Sequence, residues 1–101
     1  MYKTSKSTKD NVTTLYVEGE INTLSSEKLK AELFGIDNDL VVIDLEKITY
    51  ITSAGLRIFI EYNSIISSKG HQFKLINAKP EIIDLFNITG LNNILNVEEI
   101  K

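Results

Sequence analysis

The stretch that most constrains this chain runs from Val41 to Arg57 and reads VVIDLEKITYITSAGLR. Leu40 to Leu45 is apolar apart from Asp44, and it does not alternate. A run of that kind belongs to a strand buried on both faces, the habit of parallel strands covered by helices. A polar crossing follows, then a second apolar pair at Tyr50 and Ile51. At Thr52-Ser53-Ala54-Gly55 the period changes. Ile58, Phe59, Tyr62, Ile65 and Ile66 recur at spacings of three and four, with Leu56 and Ile60 widening the stripe. That pattern predicts an amphipathic helix. A buried strand that hands a small hydroxyl residue to a helix N-terminus is a recurrent way to build an anion site or a switch.

The segments on either side fall into the same scheme. Residues 2–9 are polar and rich in Thr, Ser and Lys, and read as a solvated edge strand. Asp10-Asn11 is a turn signal, and from Val12 to Glu18 the positions of Leu15 and Val17 alternate with Thr14, Tyr16 and Glu18. The two together predict a hairpin with one buried face. Gly19-Glu20-Ile21-Asn22 closes the second strand, and Asn22 or Thr23 can cap a short helix whose core face is Leu29, Leu33 and Phe34, stopped at Gly35. Asp37-Asn38-Asp39 is a loop. After the long helix, Gly70 is a C-terminal stop, and Phe73, Leu75 and Ile76 form another strand. Pro80 sits at the first position of a third helix, with Ile82, Ile83 and Phe86 on its apolar side and Gly90 at its end. Leu91 to Ile100, with Ile94, Leu95, Val97 and Ile100, holds a last turn and a short strand.

The order β-β-α-β-α-β-α-β predicts an α/β fold: one mixed, mostly parallel sheet with an N-terminal hairpin and helices packed on it. Right-handed crossovers then decide where the helices lie. A chain of 101 residues without a linker or low-complexity tract is expected to be one domain, residues 1–101.

Composition removes several classes of function. A net charge of -3 argues against a nucleic-acid-binding face. There is no cysteine, hence no disulfide or thiolate metal site, which fits a reducing compartment. No apolar run approaches the roughly 18 residues of a membrane span, and Met1 to Lys6 has no apolar signal region, so membrane insertion is not expected and a cytoplasmic location is. The single histidine, His71, reads as a solvated loop residue. Glu81 and Asp84 read as solvated helix surface. The five glycines are isolated at element boundaries, which is not a phosphate loop, and no Ser-His-Asp arrangement can be assembled from the spacing. The chain is expected to be a binding protein, not an enzyme, and to need no cofactor or metal.

Two residues stand out. Asp44 interrupts a buried strand, and a carboxylate there must be satisfied. The simplest arrangement has it accept backbone N–H groups of the loop that follows. Ser53 precedes a helix, where serine is an ordinary N-cap. Ala54 and Gly55 leave the helix mouth unshielded, so a partner or a phosphate can approach Ser53 closely. Cap and switch are compatible readings.

At these residues the sequence resembles the STAS domain family, specifically the bacterial anti-sigma factor antagonists. The resemblance rests on Val42-Ile43-Asp44-Leu45, Ile48 and Tyr50-Ile51-Thr52-Ser53-Ala54-Gly55-Leu56, supported by Gly19-Glu20-Ile21-Asn22, Phe86, Thr89-Gly90-Leu91 and Ile94-Leu95. It implies that Ser53 is phosphorylated by an anti-sigma factor that is also a serine kinase. The unphosphorylated protein would bind that kinase and release a sigma factor; a serine phosphatase would reset the cycle. The implied partner surface is Asn22, Thr23, Thr52, Ser53, Ala54, Gly55 and Arg57. Thr52 stands where the family often has Asp before the serine, which makes Thr52 a second candidate acceptor, and Asn22 stands at another frequent Asp position. A STAS subunit that only docks, in a transport or stress-signalling assembly, is the alternative, with a small enzyme or nucleotide-binding domain as a third reading.

Overall fold

The alternation around Leu15 and Val17 carries on further than the sequence suggests. In the computed structural model, which describes Met1–Lys101, strand β2 spans Val12–Ile21 and passes straight through Gly19. Gly19 does not close the strand. It has φ +96, and a Cβ there would lie 1.7 Å from the Met1 carbonyl oxygen, so the start of the chain packs against bare backbone. The edge strand β1 (Tyr2–Lys9) pairs antiparallel with β2 across the Asp10-Asn11 turn. There follow α1 (Thr23–Leu33), β3 (Leu40–Ile51), α2 (Ser53–Ser68), β4 (Gln72–Ala78), α3 (Pro80–Thr89), a one-turn 3-10 helix at Leu91–Asn93, and β5 (Asn96–Glu99). The sheet order is β1-β2-β3-β4-β5, with β2 to β5 parallel. This is the mixed, mostly parallel sheet with an N-terminal hairpin that the element order predicts.

Three successive right-handed crossovers stepping the same way across a sheet put all their helices on one face. The burial pattern agrees. Leu15, Val17 and Ile21 of β2, Val41, Ile43 and Leu45 of β3, and Phe73 and Leu75 of β4 are sealed into one core with Leu29, Leu33, Phe59, Tyr62, Ile66 and Phe86 from the helices. Tyr16 and Glu20, on the opposite face, are exposed. The expectation that β3 is covered on both faces is therefore corrected. Val42 points away from the helices and is still only 7% exposed, because Thr14 and Lys74 stand beside it on the neighbouring strands. A central position in a sheet shields a small side chain without a second layer.

Three further expectations change. Ile65 and Ile94 belong to the exposed surface, not the core. α1 ends on Phe34 in ordinary right-handed backbone, without using Gly35. His71 is not free in solvent: its Nε2 lies 3.2 Å from Asp37 and its Nδ1 3.6 Å from Asp39, joining the α2–β4 turn to the α1–β3 loop. Lys69 binds the same Asp37 at 3.1 Å, and that hydrogen bond holds the exposed Asp37 carboxyl below its usual range. Tyr62, raised above its usual range by burial, donates to the Ile36 carbonyl at 2.6 Å and secures the loop from inside.

The largest correction is the length of β3. The supposed polar crossing after Leu45 is strand. Pairing with β2 steps from Tyr16–Asp44 to Glu18–Lys47 and from Gly19–Ile48 to Glu20–Tyr50, so β3 carries one extra residue at each of two bulges. From Leu45 onward its buried residues are consequently Leu45, Ile48 and Ile51, spaced by three. Two bulges restore the phase, and Ile51 ends opposite Ile21 with both facing the core. Asp44 holds the first bulge: Oδ1 accepts the Glu46 N–H at 2.9 Å, and Oδ2 accepts from Asn77 Nδ2 at 3.0 Å. Asn77 has φ +58, and the register of β4 against β5 shifts there. The expected satisfaction of Asp44 by a nearby backbone N–H holds, but within a bulged strand and with Asn77 as second donor. Replacing Asp44 by Ala leaves both donors without that acceptor and is expected to cost about 1–2 kcal/mol, read as a lower urea midpoint at unchanged slope; an unchanged midpoint would remove Asp44 from this role.

Candidate functional site

Because β2 and β3 are parallel neighbours, α1 and α2 start side by side at the C-terminal edge of the sheet. This edge holds every residue of the implied partner surface. Asn22 is the N-cap of α1. Its Oδ1 accepts the Ser25 N–H at 2.9 Å, and Ser25 Oγ accepts the Asn22 N–H at 2.8 Å while donating to the Glu20 carbonyl at 2.7 Å. This reciprocal box satisfies donors that a helix start leaves open. Of the two candidates for this cap, Thr23 is instead the first helical residue, and it is exposed.

The cap of α2 is Thr52, not Ser53. Thr52 is extended, at φ -86 and ψ 170, and its Oγ1 receives the Gly55 N–H at 3.5 Å. The same hydroxyl donates to the Ile21 carbonyl at 3.1 Å, and the Thr52 N–H bonds that carbonyl at 2.9 Å. Thr52 therefore ties the start of α2 to the end of β2, and its hydroxyl is committed in both directions. Ser53 is the first helical residue. It is exposed, and its hydroxyl has no hydrogen-bond partner in the chain. The choice between adjacent hydroxyls turned on which residue remains in the β conformation, which residue type alone does not say.

Gly55 explains why the helix lies so close. A Cβ there would sit 2.5 Å from Ile21 Cγ2 and 3.0 Å from Ile51 Cγ2. Both isoleucines are buried and β-branched, so neither can rotate away. Alanine for glycine in a helix ordinarily gains up to about 1 kcal/mol. Here overpacking, on the order of 1–3 kcal/mol, outweighs it. Gly55 thus serves packing, and Ala54 is only partly exposed. Arg57 is exposed four residues after Ser53, on the same helix face.

Two large side chains outside the implied partner surface share this edge. Leu24, in the first turn of α1, is 73% exposed, and Tyr50, just before Ile51, is 57% exposed. The sequence pattern leaves Leu24 outside the core face of its helix and makes Tyr50 half of an apolar pair; the packing shows that both face water. The edge has no pocket. A depression of about 340 Å³ lies on the open sheet face around Tyr16 and Asp44, and one of about 350 Å³ lies beside His71 and Gln72; neither includes Ser53. No three His, Asp or Glu side chains converge to hold a metal.

Removing the committed hydroxyl and the free one should have different effects. Thr52→Ala is expected to lower stability by about 1 kcal/mol. Ser53→Ala should stay within about 0.5 kcal/mol of the parent. Gly55→Ala should cost about 1–3 kcal/mol. Chemical denaturation of the three variants measures this order, and equal losses for Thr52 and Ser53 would return the cap to Ser53.

Comparison with known proteins gives the family. The profile of the STAS domain matches residues 3–100. The anti-sigma-B factor antagonist of Bacillus subtilis is 31% identical over 84 residues, 80% of this chain and 76% of that protein. Among solved structures, an anti-sigma factor antagonist from Mycobacterium paratuberculosis superposes with a TM-score of 0.87 at 21% identity, covering 97% of this chain and 86% of that one. The anti-sigma factor antagonist SpoIIAA superposes in its unphosphorylated form with a TM-score of 0.76 at 15% identity, over 96% of this chain and 87% of that one. In its phosphorylated form the TM-score is 0.71 at 14% identity, over 96% and 90%. These structural likenesses show a shared fold. Relatives with these names are regulatory binding proteins and not enzymes, as the sequence led us to expect of this chain. The chain belongs to the STAS domain family.

Proposed function

We propose that this STAS domain, a single domain over residues 1–101 acting in the cytoplasm, is an anti-sigma factor antagonist switched at Ser53. Unphosphorylated, it binds an anti-sigma factor that is also a serine kinase, and a sigma factor is released. Phosphorylation of the Ser53 hydroxyl breaks that complex, and a serine phosphatase restores it. The observation that carries the reading is the free, exposed Ser53 hydroxyl beside the doubly bonded Thr52 hydroxyl. Thr52 is the poorer acceptor, because modifying it removes the cap and the tie to Ile21.

The electrostatics suit such a switch. A phosphate carries roughly -1.5 to -2 charges at neutral pH. On the first helical residue it meets the positive end of the helix dipole, and Arg57 lies one turn further on. The modified domain is therefore expected to keep its fold, and the change acts on the partner surface through bulk and charge. The pocketless edge supports a macromolecular partner, and the descriptions of the relatives suggest an anti-sigma factor.

Ser53→Asp is expected to weaken retention of the partner at least about tenfold while leaving the melting temperature within about 3 °C of the parent. A pull-down with parent and variant, followed by identification of the retained protein, tests this. A variant that holds the partner as well as the parent sinks the reading. Incubation with ATP and the captured partner, with the phosphate mapped by mass spectrometry, separates it from the docking-only alternative, which predicts an unmodified Ser53.

A further inference from the structure

The structure sorts the edge around Ser53 into residues used by the fold and residues left for a partner. Asn22, Thr52 and Gly55 are used: the first two cap helices, and the third lets α2 close on Ile21 and Ile51. Leu24 and Tyr50 are not. Both hold large apolar side chains in water and neither is part of the core, although both stand at the strand-end edge that carries Ser53: Leu24 in the first turn of α1, and Tyr50 at the end of β3, beside Glu20 on the open face. Exposed apolar groups gathered at one site are a mark of an interaction surface.

The charge of the edge is also one-sided. Neither α1 nor α2 has an acidic residue in its first turn, whereas α3 has Glu81. Two uncompensated positive helix ends therefore lie side by side, with exposed Arg57 next to them. Glu20, paired with Tyr50 in the ladder, offsets part of this. Parallel strands lie about 4.8 Å apart and packed helices about 8–10 Å apart. Leu24 and Ser53 stand on the first turns of the neighbouring helices α1 and α2, Arg57 one turn beyond Ser53, and Tyr50 on the adjoining strand end, a span on the scale of the roughly 800 Å² that one partner covers in a standard interface.

We infer that Leu24 and Tyr50 are the apolar anchors of the partner surface and Arg57 its cation, and that the partner meets them with an acidic face carrying apolar pockets. The inference rests on the Ser53 reading and specifies its surface. It also gives the switch a physical cause. A phosphate on Ser53 turns a positive patch negative in front of an acidic partner, and the anchors can no longer seat.

The test is calorimetric titration of the purified protein that the parent chain retains, at low and high salt, with five variants. Leu24→Ser and Tyr50→Ser are each expected to weaken binding on the order of 10- to 100-fold. Arg57→Glu should weaken it and flatten its salt dependence. Ile88→Ser serves as control: Ile88 is 83% exposed but lies at the C-terminal end of α3, away from this edge, and should stay within about threefold. Ser53→Asp reports on the underlying reading. If Ser53→Asp abolishes binding while Leu24→Ser and Tyr50→Ser stay within about threefold, the anchors are wrong and the Ser53 reading stands. If Ser53→Asp binds like the parent, the reading fails and takes the anchors with it.

Discussion

Gly55 lacks the one atom that would keep α2 away from the sheet. Its missing Cβ would collide with the methyl groups of Ile21 and Ile51, the last buried residues of two adjacent parallel strands. The contact does more than fill space. It brings the first turn of α2 down onto the strand ends, so that Thr52 reaches the Ile21 carbonyl with both its N–H and its hydroxyl. With Thr52 turned inward to serve β2, Ser53 is left facing outward on the first turn with nothing to bind. The availability of that hydroxyl is thus a consequence of close packing.

The same contact depends on β3 arriving in register. Ile51 must face Ile21, yet β3 uses six steps from Leu45 to Ile51 where β2 uses four from Val17 to Ile21. Two bulges absorb the difference. The Asp44 carboxylate supplies an acceptor for the bulged Glu46 N–H and links it to Asn77 of β4. Bulges next to functional sites commonly re-aim side chains, and here they also turn Thr49 and Tyr50 out to solvent. A chain of physical dependence therefore runs from Asp44 through the bulges and Ile51 to Gly55, Thr52 and Ser53.

One-sided coverage of the sheet follows from the order of the strands. Each crossover steps to the next position in the same direction, so the helices accumulate on one face and their N-termini at one edge. The first turns of α1 and α2 carry no acidic side chains, which leaves that edge positive. An uncompensated pair of helix ends is a place where a small change of charge has a large local effect.

Much of the architecture was determined by local signals. The alternation at Leu15 and Val17, the helical stripe from Leu56 to Ile66, Pro80 at a helix start and Gly70 and Gly90 at helix ends each act over a few residues, and each survives in the structure. So does the need to satisfy Asp44. What local signals do not carry is phase and neighbourhood. Leu45, Ile48 and Ile51 recur every three residues, a spacing that belongs to neither a regular strand nor a helix, and only pairing with β2 makes them one strand. Thr52 and Ser53 are both good caps by residue type; the choice falls to Thr52 because the Ile21 carbonyl is within its reach. Tyr50 looks like half of an apolar pair in a linear pattern, and its exposure is decided by which face the bulged strand turns to water. The sequence by itself determined which elements form and in what order, since propensity, periodicity and turn chemistry are properties of short segments. The tertiary structure decided which hydroxyl is free and which apolar groups stay in water, since both depend on atoms far away in the chain: the Ile21 carbonyl that holds Thr52 lies thirty-one residues from it.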